Sequence, residues 1–219
     1  MKFRRKSAAA PAETSATSLD ASEDAESTEG TEPVREGGPW DADELPASVA
    51  SVERADLGSL LVAPMEGKEI RLQVDETTGQ IAAVLVADEE GAVELRAFAA
   101  PRGYDMWAEV LPQLEADVAG HGGVSQRREG IWGEELLAQM QVQMPDGQPG
   151  VQPSRIVGVN GARWMLRATF LGRPAVDADA GAAWEQVLRD VVVRRGKGAM
   201  PKGEPLPMVL PPQTPQTQA

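Results

Sequence analysis

The chain holds no cysteine, one histidine and one tyrosine in 219 residues. The missing thiols exclude disulfides, thiolate nucleophiles, zinc ribbons and iron–sulfur clusters together. His121, in a Gly-His-Gly-Gly turn, cannot build a histidine-rich metal site, and any Ser-His-Asp triad would have to use it. There is no Gly-x-Ser-x-Gly elbow, no phosphate loop, and no Gly-x-Gly-x-x-Gly following a strand. Carboxylate pairs such as Asp88-Glu89-Glu90 and Glu134-Glu135 read as hydrated turns, poor places for general acid–base work, and none has calcium-loop spacing. No metal and no cofactor is expected.

Positive charge is also short. The net charge is −13, which disfavours nucleic acid, because affinity there comes mainly from Lys and Arg neutralising phosphates. The excess is not confined to a tail: residues 1–56 hold 13 acids and 6 bases, and residues 57–195 hold 20 and 13. Arg127, Arg128, Arg155 and Arg163 could still form a local basic patch, or simply face water. No run approaches the roughly 18 apolar residues of a membrane span. The basic start, Met1 to Lys6, lacks the apolar stretch of a signal peptide, so a cytoplasmic location is expected.

What is present is an α+β pattern. Residues 1–36 are acidic and nearly free of large apolar side chains, the signature of disorder. Residues 37–56 form a docking or linker segment carrying Trp40 and Leu45. Either Trp40 pins the tail to the chain's own domain, or it belongs to a short motif that docks on another protein. The domain is expected over 57–195. Strands are read at 59–62, 70–74, 81–86 and 93–99. Asp75 to Gly79 and Asp88 to Gly91 supply the turns.

Pro101-Arg102-Gly103 breaks the chain before a helix in which Trp107, Val110, Leu111, Leu114 and Val118 share one face. Asp105 is its expected N-cap, Pro112 should bend it, and the glycines at 120–123 should stop it. Strands follow at 124–131, 136–144, 155–159 and 163–171. Gly130-Ile131-Trp132-Gly133 reads as a turn, 145–153 as a loop, and Asn160-Gly161 as the strongest hairpin signal. Trp164, Leu166, Ala168 and Phe170 should share a face, and Met140 and Met144 read as core filling. A second helix places Ala180, Trp184, Val187, Leu188 and Val191 on one side, capped by Asp177 or Asp179. The Pro-rich segment 196–219 includes an extended stretch at 206–210 that either packs along the domain or serves as a docking peptide.

The two halves echo one another. Leu95-Arg96-Ala97 precedes the first helix and Leu166-Arg167-Ala168 the second, and Trp107 to Leu111 resembles Trp184 to Leu188. A ββββα duplication would account for this. So would the residue usage of a high-GC genome. The expected architecture is a mainly antiparallel sheet with two helices packed on it in two layers, and loose ends.

Gly38-Pro39-Trp40-Asp41, residues 93–101 with Trp107, Gly158-Val159-Asn160-Gly161 with Arg163-Trp164, and 191–195 followed by Met200-Pro201 resemble an actinobacterial family. It is the family called domain of unknown function 3710. The resemblance spans roughly 37–212. It implies an actinobacterial cytoplasmic protein and brings no activity and no functional residues.

Two functional readings follow. The first is a non-enzymatic adaptor or scaffold for an unidentified protein partner, docking through Trp40, Leu45 and Trp132. The second is a small-ligand-binding domain, or an enzyme, using Arg102, Tyr104 and Asp105 in the loop before the first helix. A helix N-terminus there would favour an anion. A concave apolar cavity beside that loop would favour the second reading, and a filled helix–sheet interface the first.

Overall fold

The computed structural model describes residues 37–143 and 147–210, so the expected disorder of 1–36, the end of the chain beyond 210 and Met144 lie outside the described residues. In chain order the elements are β1 (Trp40–Asp41), α1 (Ala47–Ala50), β2 (Ala55–Asp56), β3 (Leu60–Val62), β4 (Glu69–Val74), β5 (Ile81–Ala87) and β6 (Gly91–Ala99). Then come α2 (Met106–Gly120), β7 (Val124–Gly130), β8 (Gly133–Gln143), β9 (Pro149–Asn160), β10 (Trp164–Gly172), α3 (Arg173–Val176), α4 (Ala178–Asp190) and β11 (Val192–Val193).

Seven strands form one antiparallel sheet in the order β4-β5-β6-β10-β9-β8-β7. A second, small sheet runs β1-β11-β3-β2, with β1 and β11 parallel. Residues 37–56 therefore lie alongside the strands of 57–195, and β3 joins the small sheet instead of the large one.

Strand alternation sorts the core into two clusters. On one face, Leu95 and Ala97 of β6, Val157 and Val159 of β9, and Trp164, Leu166 and Phe170 of β10 meet α4 and the small sheet. On the other, Ile156, Met165 and Leu136 meet α2 through Met106, Trp107 and Leu111. Each long helix lays its tryptophan on the sheet: Trp107 is 6% exposed and Trp184 is 2% exposed. The two helices sit on opposite faces, so the domain has three layers and not the expected two.

That placement also corrects the duplication. The Leu-Arg-Ala triplets do pair with each other, with Leu166 opposite Ala97, Arg167 opposite Arg96 and Ala168 opposite Leu95. An axis relating two adjacent antiparallel strands must stand normal to the sheet, and such an axis leaves both helices on the same face. The echo in the sequence is therefore local to the central ladder.

The loop expected over 145–153 is also corrected in part. From Pro149 onward the chain is the first half of β9, paired with β8. Proline is tolerated there because β10 pairs with β9 only from Ser154, leaving one side of the strand without a ladder.

The C-terminal segment packs along the domain. β5 covers β6 only as far as Leu95. Beyond that, the Gly203 amide donates to Ala99 O, the Ala99 amide to Glu204 O, and the Leu206 amide to Ala97 O, each at 2.8 Å. Leu206 is buried in the larger core. This strap continues the sheet where β5 stops.

Candidate functional site

α2 starts where its cap can form. Asp105 accepts from the Ala108 amide at 3.0 Å, as its position in the sequence implied. Asn160, read from the sequence only as a turn former, completes the cap. Its Oδ1 accepts from the Trp107 amide at 3.2 Å, and its Nδ2 donates to Asp105 at 2.7 Å. The β9–β10 hairpin is thereby tied to the start of α2. The first-turn amides are already met by the protein's own carboxylate and amide oxygens.

Around this cap, Tyr104 is exposed and donates its hydroxyl to Glu109. Lys202 of the strap lies 2.6 Å from the same carboxylate and 4.9 Å from the centre of the Tyr104 ring. Lys202 first, and Tyr104 second, hold the Glu109 carboxyl below its ordinary range; Glu109 in turn holds Lys202 above its own. Arg102 is exposed and has no hydrogen-bond partner among the described residues.

Beside this group is a cavity of about 360 Å³ between α2, the sheet and the strap. Phe98, Met106, Val110, Leu114 and Met165 supply its apolar wall, and Arg167 stands in it. The space has a simple cause. α2 presses Trp107 and Leu111 against Leu136 and Ile156, toward the β8–β9 side of the sheet. Trp107 seats on Gly158, where an added Cβ would come within 2.1 Å of the ring, and its indole donates to Glu134 O at 2.6 Å. The helix is thus anchored off-centre, leaving the surface over Phe98 and Arg167 for the strap to border.

The carboxylates expected in hydrated turns divide. Glu134 is exposed, but Glu135 is 1% exposed and joins a buried ion cluster. Arg155, 6% exposed, donates to Glu135 at 2.5 Å and to Glu185 of α4 at 2.6 Å, while Arg128 reaches Glu135 from β7. Arg127 pairs with Glu115 and Glu134. The arginines at 127, 128 and 155 are neutralised by neighbours, and Arg163 donates to Gly196 O, so no basic patch forms from this set. Strand parity sends Glu135 inward because it shares a face with Arg155, on the strand opposite.

The expected docking residues are spread out. Trp40 is half-buried in β1; its amide donates to Val191 O, and the adjacent Asp41 accepts from the Trp164 indole at 2.8 Å. Leu45 is half-buried beyond it. Trp132, at the β7–β8 turn, packs on the larger core with Arg189 5.7 Å above its ring. Among the described residues, no three His, Asp or Glu side chains gather as a metal site, and no helix is long and apolar enough to cross a membrane.

Fold and cavity together define an antiparallel α+β domain with a helix on each face of its main sheet and a helix-bordered recess. The chain belongs to the DUF3710 family, described as a protein of unknown function, whose pattern matches residues 38–217. No curated protein matches it. A crystal structure from Bacteroides thetaiotaomicron is similar at 12% identity and a TM-score of 0.38, covering 65% of this chain. The chain spans about half of that protein, 48% of its length.

Proposed function

We propose that this domain binds a small amphipathic molecule in the recess between α2, the sheet and the strap. The observation that carries the reading is the cavity of about 360 Å³, apolar on one side and polar on the other, directly beside the Tyr104 loop. Ligand pockets fall at roughly 300–1,000 Å³ and combine an apolar lining with a few placed polar groups. The adaptor reading has less support: β1 holds Trp40 against β11, and Leu206 lies in the chain's own core.

The test is a thermal-shift screen of a metabolite panel on the wild type and on Val110→Trp, which fills the recess. A ligand that prefers the native state raises its melting temperature. At least one compound should stabilise the wild type and lose that effect in Val110→Trp. No stabilising compound, or equal stabilisation of both proteins, would overturn the proposal.

A further inference from the structure

Among the described residues, Arg167 is the cation of the recess without a hydrogen-bonded partner, since Lys202 is paired with Glu109; the carboxylate of Asp117, which also lines the recess, has none either. The nearest comparison is Arg96, directly opposite it on the neighbouring strand. Arg96 has a partner two residues back on its own face: its Nε donates to Glu94 at 2.7 Å. Two residues back from Arg167 stands Met165, so the equivalent carboxylate is missing. Among the described residues, no oxygen accepts from the Arg167 guanidinium. Its nearest special contact is the Phe98 ring, 5.5 Å away. Burial, and after it the positive charge of Arg96, hold Arg167 below the ordinary arginine range, with the Glu94 carboxylate acting the other way. Arginine nevertheless stays protonated in water at neutral pH.

A half-buried cation facing a like charge, with five donors and no acceptor, is stabilised by any anion that reaches it. The apolar side chains on the same wall, Phe98, Met165 and Leu114, would be left uncovered by a small inorganic ion and suit a ligand with an apolar body.

Resting on the cavity reading above, we infer that the ligand is an amphipathic carboxylate. Its carboxylate pairs with the fork of Arg167, and its aliphatic body lies along Phe98, Met165 and Leu114. The volume is near the lower end for ligand pockets, which favours a medium-length chain over a long one.

The experiment is calorimetric titration of the full chain at pH 7 with octanoate, 1-octanol and octylamine. These share an aliphatic body and differ in head group. Octanoate should bind the wild type about tenfold or more tightly than octanol, as expected for a charge-assisted pair. That preference should vanish in Arg167→Met and persist in part in Arg167→Lys. Equal affinity for octanoate and octanol, or a preference for octylamine, would overturn the carboxylate while leaving the cavity reading in place. Binding of none of the three would remove both. If Arg167→Met does not fold, the ranking on the wild type decides alone.

Discussion

Arg96 and Arg167 stand directly opposite each other at the centre of the main sheet, on the face that carries α2. Like charges at a directly opposed pair repel, and a sheet normally avoids them. Here Glu94 is hydrogen-bonded to Arg96, whereas it acts on Arg167 through its charge alone, without a hydrogen bond. The Arg167 guanidinium thus keeps no bonded acceptor among the described residues, on a central strand of the sheet. Real proteins break a local rule mostly where function requires it.

The buried ion cluster should be fragile to single changes and tolerant of wholesale replacement. Arg155→Met leaves Glu135 and Glu185 facing each other without their shared cation. Removing one partner of a buried pair costs about 3–5 kcal/mol. Urea unfolding should show that loss. The triple change Glu135→Leu, Arg155→Met, Glu185→Leu should recover most of it. A single Arg155→Met that unfolds like the wild type would contradict this role.

Gly158 is there to admit an indole. With an added Cβ 2.1 Å from the Trp107 ring, Gly158→Ala must displace the ring or the strand. Overpacking costs typically about 1–3 kcal/mol. Combining it with Trp107→Leu should give less than the sum of the two single losses, since both act at one contact. Additive losses in a double-mutant cycle would show that the two residues do not compete for the same space.

The strap should be held by one side chain. Leu206→Ala removes a fully buried residue, for a cost of about 2–5 kcal/mol if the strap stays docked. If it detaches instead, the global loss is smaller, and the Ala99 and Leu206 amides, bonded across the strap, exchange with solvent faster. Hydrogen exchange read at those two amides distinguishes the outcomes. Unchanged protection together with unchanged stability would refute the assignment.

Acid should weaken the contact between the β5–β6 turn and α4. Burial acts against the Asp88 carboxylate, but the Lys68 ammonium and the Glu90 and Gly91 amides outweigh it and hold its pKa below the ordinary 3.8. A carboxyl depressed in the folded state adds stability above its unfolded value, and that stability is lost as pH falls through the folded value. The contribution is therefore complete above about pH 4 and fades below it. Lys68 also lies 3.5 Å over the Trp184 ring, so its release should be visible in tryptophan emission. Asp88→Asn should flatten that part of the stability–pH curve; an unchanged slope below pH 4 would argue against it.

Much of the architecture could be read from residue spacing. The face of α2, the Asp105 cap, the Asn160-Gly161 hairpin and the shared face of Trp164 to Phe170 all follow from local rules, and all are present. Which helix covers which face could not be read this way. Period-two alternation says which residues share a side, not what lies above them, and β6, β9 and β10 carry apolar residues on both. Burial of Glu135 was hidden for a related reason: its register against Arg155 is a long-range fact. The missing acceptor of Arg167 had a local trace, since Glu94-Leu95-Arg96 has a carboxylate where Met165-Leu166-Arg167 has none. Its meaning depended on knowing that the two triplets pair. Arg102, Tyr104 and Asp105 stand out in the sequence by their place before α2. The structure puts Tyr104 beside the recess through Glu109 and Lys202, while Asp105 is occupied as a cap.

The most direct measurement uses the methionine methyl groups as reporters in NMR titration of the full chain with octanoate. Met106 and Met165 line the recess, whereas Met200 and Met208 pack on the core of the opposite face. Shifts that saturate at Met106 and Met165, with Met200 and Met208 unmoved, are the predicted result. No shift at the first pair, or shifts confined to the second, would contradict a ligand site between α2 and the sheet.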